Sequence, residues 1–207
     1  MDEFIEVEAT HQSLIMRSLV EGVGVNDAPY MVYAKVGGKQ FTCPYYSVWA
    51  SMLARCYSMK YQGNNPAYRG CSVSEEWLVF TTFKTWMMTQ KWDGLFLDKD
   101  LLVKDSKVYS KDTCIFVTRL VNNLMTDRTA ARGNYPVGVT WSKAHGKYRA
   151  RCNIDGKRAS LGLFYSEKEA SSAYRTFKSG LVKVIAEQQE DSRLREALLR
   201  ISTELLQ

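Results

Sequence analysis

The stretch NYPVGVTWSKAHGKYRARCNIDGKRASLGLFYSEKEASSAYRTFKSG, residues 134–180, decides the fold. Between residues 147 and 154 it alternates strictly. Lys147, Arg149, Arg151 and Asn153 fall on one side, and Tyr148, Ala150, Cys152 and Ile154 on the other. Successive side chains of a strand point to opposite faces, so this segment predicts a strand that is basic outside and apolar inside. The run before it places Val137, Val139 and Trp141 inward, and Gly138, Thr140 and Ser142 outward. After the Asp155-Gly156 turn signal, which suits a tight hairpin, Arg158, Ser160 and Gly162 would face out. Ala159, Leu161 and Leu163 would pack inward, with Phe164 closing the edge. Ser166 followed by Glu169 is a capping box, and Ala170, Ala173, Tyr174, Phe177, Leu181 and Val184 follow at helical spacing. The prediction is a three-stranded antiparallel sheet backed by one helix.

The outer face of that sheet points to a polyanion. Residues 132–164 hold seven basic residues (Arg132, Lys143, Lys147, Arg149, Arg151, Lys157, Arg158) against one acid, Asp155. A charge run is often only a solvated face. Here the cations share a strand face with small polar residues, which lets the face approach a groove. A two- or three-stranded sheet fits the major groove of DNA, where Arg and Lys contact phosphates and guanine edges.

The same residues carry a family resemblance. Gly138-Val139, the run from Gly146 to Arg151, Gly156-Lys157-Arg158, Leu161-Gly162-Leu163-Phe164, Glu169-Ala170 and Ala173-Tyr174 together resemble the apetala/ethylene-responsive-factor (ERF) DNA-binding domain. The resemblance covers about a quarter of the chain. It implies a sheet laid in the major groove of double-stranded DNA, with Thr140, Lys143, Lys147, Arg149, Arg151 and Arg158 as DNA-facing positions. Lys157, in the hairpin, joins them as a basic neighbour. The plant domain has an Arg where this chain has Thr140, so its base preference does not transfer. Outside plants, the resemblance implies a bacteriophage or mobile-element protein, a setting in which the domain is commonly attached to HNH-type homing endonucleases.

Composition bounds the rest. The chain has 207 residues, 45% of them hydrophobic, which suffices for one or two packed domains. A net charge of +6 suits a polyanionic partner. The charge is uneven: residues 1–30 carry six acids and one base, Arg17. The five cysteines form no CxxC pair, which argues against a zinc site and a disulfide framework and for reduced thiols. No leader and no apolar run near 18 residues is evident, so a cytoplasmic protein without a membrane partner is expected.

Residues 1–40 are weakly patterned, with a short strand expected at 4–8, a helix at 12–20 and a turn at Gly37-Gly38. A helix is predicted over 42–57, with Pro44 in its first turn and Tyr45, Trp49, Met52, Leu53 and Cys56 as its apolar stripe. A polar loop follows at 62–66. A second helix, capped by Ser74, carries Trp77, Phe80, Trp86 and Met87. Aromatics at helical spacing are more often core than a base-stacking platform.

The order then becomes an acidic strand (95–103), a loop, an apolar strand (108–117) and an Asn-bearing helix capped by Thr118. With its string LDKD…YSKDTCIFVTRLVNN, this resembles the ββα-metal core of HNH nucleases, mainly those of phages. The resemblance implies a hydrolase in which Asp98 and Asp100 are the catalytic and metal-holding residues and magnesium is the cofactor. Such nucleases use a His beside the metal as general base. This chain has Lys99 and Asp100 there, and its histidines are His11 and His145. On a regular strand Asp98 and Asp100 would share a face, and Lys99 would point away.

The expected architecture is α+β. It comprises an amino-terminal segment (1–40), an HNH-like helical and ββα region (41–126), a linker (127–134), the ERF-like module (135–186) and an amphipathic terminal helix (187–207). That last helix packs on the body or forms a homodimer. Three functions remain open: a double-stranded DNA-binding protein, a magnesium-dependent HNH-like endonuclease, and a phage inhibitor of a host protein acting through the aromatic amino-terminal region.

Overall fold

The computed structural model describes residues 4–125 and 135–207; the linker expected at 127–134 lies outside them. The fold is α+β, and the chain divides into two compact units, Met1–Phe116 and Val117–Gln207. Among the described residues no helix is long and apolar enough to cross a membrane.

The first unit is built on aromatic packing. A short helix α1 (His11–Ile15) precedes a hairpin of β1 (Tyr33–Val36) and β2 (Lys39–Thr42), turned at Gly37 and Gly38. Helix α2 (Pro44–Tyr57) buries Tyr46, Trp49, Met52, Leu53 and Cys56, so Tyr46 takes the place expected for Tyr45. The polar run expected as a loop instead begins as α3 (Met59–Asn64). The helix expected from Ser74 onward is broken. A 3-10 turn (Glu75–Leu78) precedes α4 (Phe80–Met88), and Ser74 makes no side-chain cap. The break has a tertiary cause. The Val25 amide donates to the Leu78 carbonyl at 2.8 Å, and the Phe80 amide to the Val25 carbonyl at 3.0 Å, which holds Val79 extended.

Trp49, Trp77, Phe80 and Phe83 are buried at the centre. The Trp49 indole donates to the Trp77 carbonyl at 2.7 Å, and the Trp49 and Phe80 rings lie 5.4 Å apart. These aromatics are core. Residues 4–40 form a belt on it: the Arg17 guanidinium donates to the carbonyls of Asn26, Ala28 and Tyr30 at 2.9, 2.6 and 2.8 Å. Short strands complete the unit. β3 (Ser72–Val73) pairs in parallel with β5 (Val108–Tyr109), and β4 (Phe96–Asp98) pairs with β6 (Ile115–Val117).

In the second unit, α5 (Arg119–Met125) begins where the Thr118 hydroxyl accepts the Val121 amide at 3.3 Å. Expected as the closing helix of the HNH-like region, α5 instead groups with the sheet module. It lies near β8, and Lys178 Nζ donates to the Leu124 carbonyl at 2.5 Å. The sheet is β7 (Val139–Ser142), β8 (Lys147–Ile154) and β9 (Lys157–Phe164), antiparallel in that order. Helix α6 (Glu167–Glu187) covers its inner face. The capping box is present, with the Ser166 hydroxyl accepting the Glu169 amide at 3.2 Å and the Ser166 amide donating to Glu169 Oε2 at 3.3 Å.

Two expectations of facing are corrected. Trp141 and Val137 are exposed rather than buried, because the inner core is centred on Val139, Ala150 and Ala170. Trp141 lies on the helix side, where its ring meets Tyr148 edge-on at 4.9 Å. Along α6 the buried stripe turns: Phe177 and Val184 are exposed, and Ser179, Val182, Ile185 and Ala186 are buried. Helix α6 packs also on α7 (Ser192–Glu204), which buries Leu194, Ala197 and Leu198. The two helices are joined where the hydroxyls of Ser179 and Ser202 meet at 3.0 Å. Of the apolar stripe expected to pack on the body or form a homodimer, Leu194 and Leu198 are buried, and Ile201 and Leu205 are half-buried.

Candidate nucleic-acid interface

Pairing across the sheet places the expected residues. The row Thr140–Arg149–Leu163 crosses all three strands, followed by Arg151–Ser160 and Asn153–Arg158. Thr140, Arg149, Arg151 and Arg158 are therefore brought together on the outer face. Lys147 shares that face at the start of β8, opposite Ser142, with its Nζ 4.1 Å above the ring of the exposed Tyr165. Lys143 sits in the β7–β8 turn and Lys157 at the start of β9, both exposed. Lys157 pairs with Ile154, so its backbone register is that of the inner face at the hairpin end.

The Arg149 guanidinium is held. Its Nη2 donates to Ser142 Oγ at 3.0 Å and lies 3.5 Å from His145 Nδ1, while Ser142 Oγ and His145 Nδ1 are 3.0 Å apart. This fixes the long side chain near one direction, which lowers the entropy lost when it meets a ligand. His145, Arg149, Arg151, Arg158, Ser160, Gly162 and Leu163 line a shallow concavity of about 730 Å³ on this face. Among the described residues, no carboxylate forms an ion pair with Lys143, Lys147, Arg149, Arg151, Lys157 or Arg158. Asp155, the acid of this stretch, turns the hairpin with φ of 48°.

One outward residue was missed. Leu163 is 37% exposed on the basic face, whereas alternation places it inside. The register shifts between Ala150 and Arg151, which pair with Gly162 and Ser160, so Leu161 is an extra residue. This β-bulge reverses the facing of everything beyond it. Gly162 sits at the bulge with φ of +128°, a backbone that a side chain rarely adopts. Glycine inside a strand pattern is the sequence signal that could have found it.

The acidic pair of the first unit is arranged differently from expectation. Asp98 Oδ1 accepts the amides of Asp100 and Leu101 at 2.8 and 2.9 Å, which curls the chain out of β4 after three residues. Burial pushes the Asp98 carboxyl up, against the pull of those two amides. Lys99 does not point away from the pair. It is 5% exposed, forms an ion pair with Asp100 and donates to the Ser106 carbonyl at 2.7 Å. Among the described residues, no group of three His, Cys, Asp or Glu side chains converges on a point that would hold a metal. Asp98 meets two amides through Oδ1 and Asp100 meets the Lys99 ammonium, so a magnesium ion held there through oxygens would compete with Lys99 for Asp100. All five cysteines are buried and unpaired, and burial raises the Cys56 and Cys114 thiols to about 12, away from reactivity.

Fold and face together define an α+β protein with a basic three-stranded sheet backed by a capped helix. No family model matches the chain, and no curated protein or solved structure does either.

Proposed function

We propose that this chain binds double-stranded DNA, with the outer face of β7–β9 laid in the major groove. The observation that carries the reading is the row of guanidiniums, Arg149, Arg151 and Arg158, with which no carboxylate among the described residues forms an ion pair. Three strands about 4.8 Å apart give a backbone width of roughly 10 Å, against a major groove about 12 Å wide. The sequence likeness to the ERF domain supports the same placement and, with the HNH-like order of elements, a phage or mobile-element setting. Lys143, Lys147 and Lys157 supply phosphate contacts at the edges of the sheet, and Thr140 lies beside Arg149 at its centre.

The test is fluorescence anisotropy of a labelled duplex across a salt series. Each phosphate neutralised contributes about 0.9 to the log–log slope, so the three lysines give a slope near −3, and the limit with all six cations on phosphates is near −5. The Arg149→Ala/Arg151→Ala/Arg158→Ala variant is expected to lower the affinity at least tenfold and to leave a slope of about −3. Unchanged binding by this variant sinks the reading. Magnesium-dependent nicking of supercoiled plasmid that disappears in Asp98→Ala would instead assign an endonuclease.

A further inference from the structure

The basic face carries one apolar group that simple alternation would have buried. The bulge at Leu161 turns Leu163 outward, into the same cross-strand row as Arg149 and Thr140. A single exposed leucine is ordinary on a protein surface. This one lines the concavity among Arg149, Arg151 and Arg158, and its neighbour Arg149 is braced by Ser142. A braced guanidinium beside an apolar group matches two features that adjoin on the major-groove edge: the O6 and N7 acceptors of guanine, and the 5-methyl group of a pyrimidine. Phosphate contacts alone carry no sequence preference.

We propose that Leu163 is a specificity-determining residue that packs on a pyrimidine 5-methyl group while Arg149 donates to a neighbouring guanine. The inference rests on the DNA-binding reading. The methyl group belongs to thymine or to 5-methylcytosine, and the chemistry of the contact is the same. One methyl group buried against Leu163 corresponds to about a fourfold change in affinity.

The experiment uses the full-length chain and a duplex that it enriches from a random-sequence library. Three versions of that duplex are compared by anisotropy: unmodified, with thymine replaced by uracil, and with cytosine replaced by 5-methylcytosine. They are titrated with the wild type, Leu163→Ala and Leu163→Met. The expected result is that the wild type and Leu163→Met lose about fourfold on uracil or gain about fourfold on 5-methylcytosine. The first outcome assigns thymine and the second 5-methylcytosine, and Leu163→Ala shows neither change. A wild type indifferent to both substitutions, or a Leu163→Ala variant as sensitive as the wild type, overturns the proposal and leaves DNA binding standing. Failure of the wild type to bind any duplex overturns both.

Discussion

Replacing Gly138 by alanine tests how the second unit is assembled. Gly138 has φ of +75°, and its carbonyl accepts the Arg151 amide at 2.8 Å. A Cβ there would lie 2.1 Å from Cδ2 of the buried Tyr174, 2.5 Å from its Cε2 and 2.7 Å from the Arg151 carbonyl oxygen. The left-handed backbone costs alanine about 1 kcal/mol. Displacing the Tyr174 ring or the β8 backbone costs about 1–3 kcal/mol more. The total of about 2–4 kcal/mol corresponds to a ~30- to ~900-fold shift in opening equilibrium. Because a chain of two units need not unfold in one step, the readout is hydrogen exchange by mass spectrometry, peptide by peptide. Peptides from β7, β8 and α6 should exchange faster by that factor, while those from α2 and α4 keep their rates. Gly146→Ala is the control: its φ is +60°, but a Cβ there meets nothing within 4 Å, so only the backbone cost of about 1 kcal/mol remains. If Gly138→Ala proves no more costly than Gly146→Ala, the close approach of Gly138 to Tyr174 is not what holds the sheet to α6.

Two further outcomes follow from single side chains. Arg17→Met should destabilise the first unit by about 2–4 kcal/mol, because three part-buried carbonyls lose charge-assisted bonds together; chemical denaturation followed by tryptophan fluorescence measures it, and a loss under about 0.5 kcal/mol refutes the clasp. Asp191 caps α7 by accepting the Arg193 and Leu194 amides. Partial burial raises its carboxyl, but the Arg193 side chain and the two amides outweigh this and hold it below the ordinary carboxylate range. Its contribution is therefore fully present above that range and is lost as pH falls through the lowered folded value. Asp191→Ala should cost about 1 kcal/mol at neutral pH, and the urea midpoints of variant and wild type should converge in acid.

The legibility of the chain follows the range of the interactions involved. The capping box at Ser166 and Glu169, the Gly37-Gly38 turn and the Asp155-Gly156 hairpin all depend on neighbours within a few residues, and each is found where the local pattern puts it. The helix at 74–88 was legible as apolar periodicity but not as two pieces. Its break at Val79 is made by Val25, more than fifty residues earlier, through backbone bonds that leave no side-chain signature. Asp98 and Asp100 share a strand face only while the strand is regular. The Asp98 carboxylate itself ends that strand by taking the next amides.

The sequence by itself determined the α+β class of the second unit, its three strands and capped helix, and the basic side of β8. Those follow from period-two and period-3.6 patterns and from turn chemistry, which act locally. Tertiary structure alone decided which residues complete the face. The bulge opposite Ala150 and Arg151 turns Leu163 outward, Ser142 and His145 brace Arg149 across a turn, and α7 packs on α6. A one-residue slip in register exchanges the two faces of a strand. Its position depends on how two strands fit one helix, not on the composition of either strand.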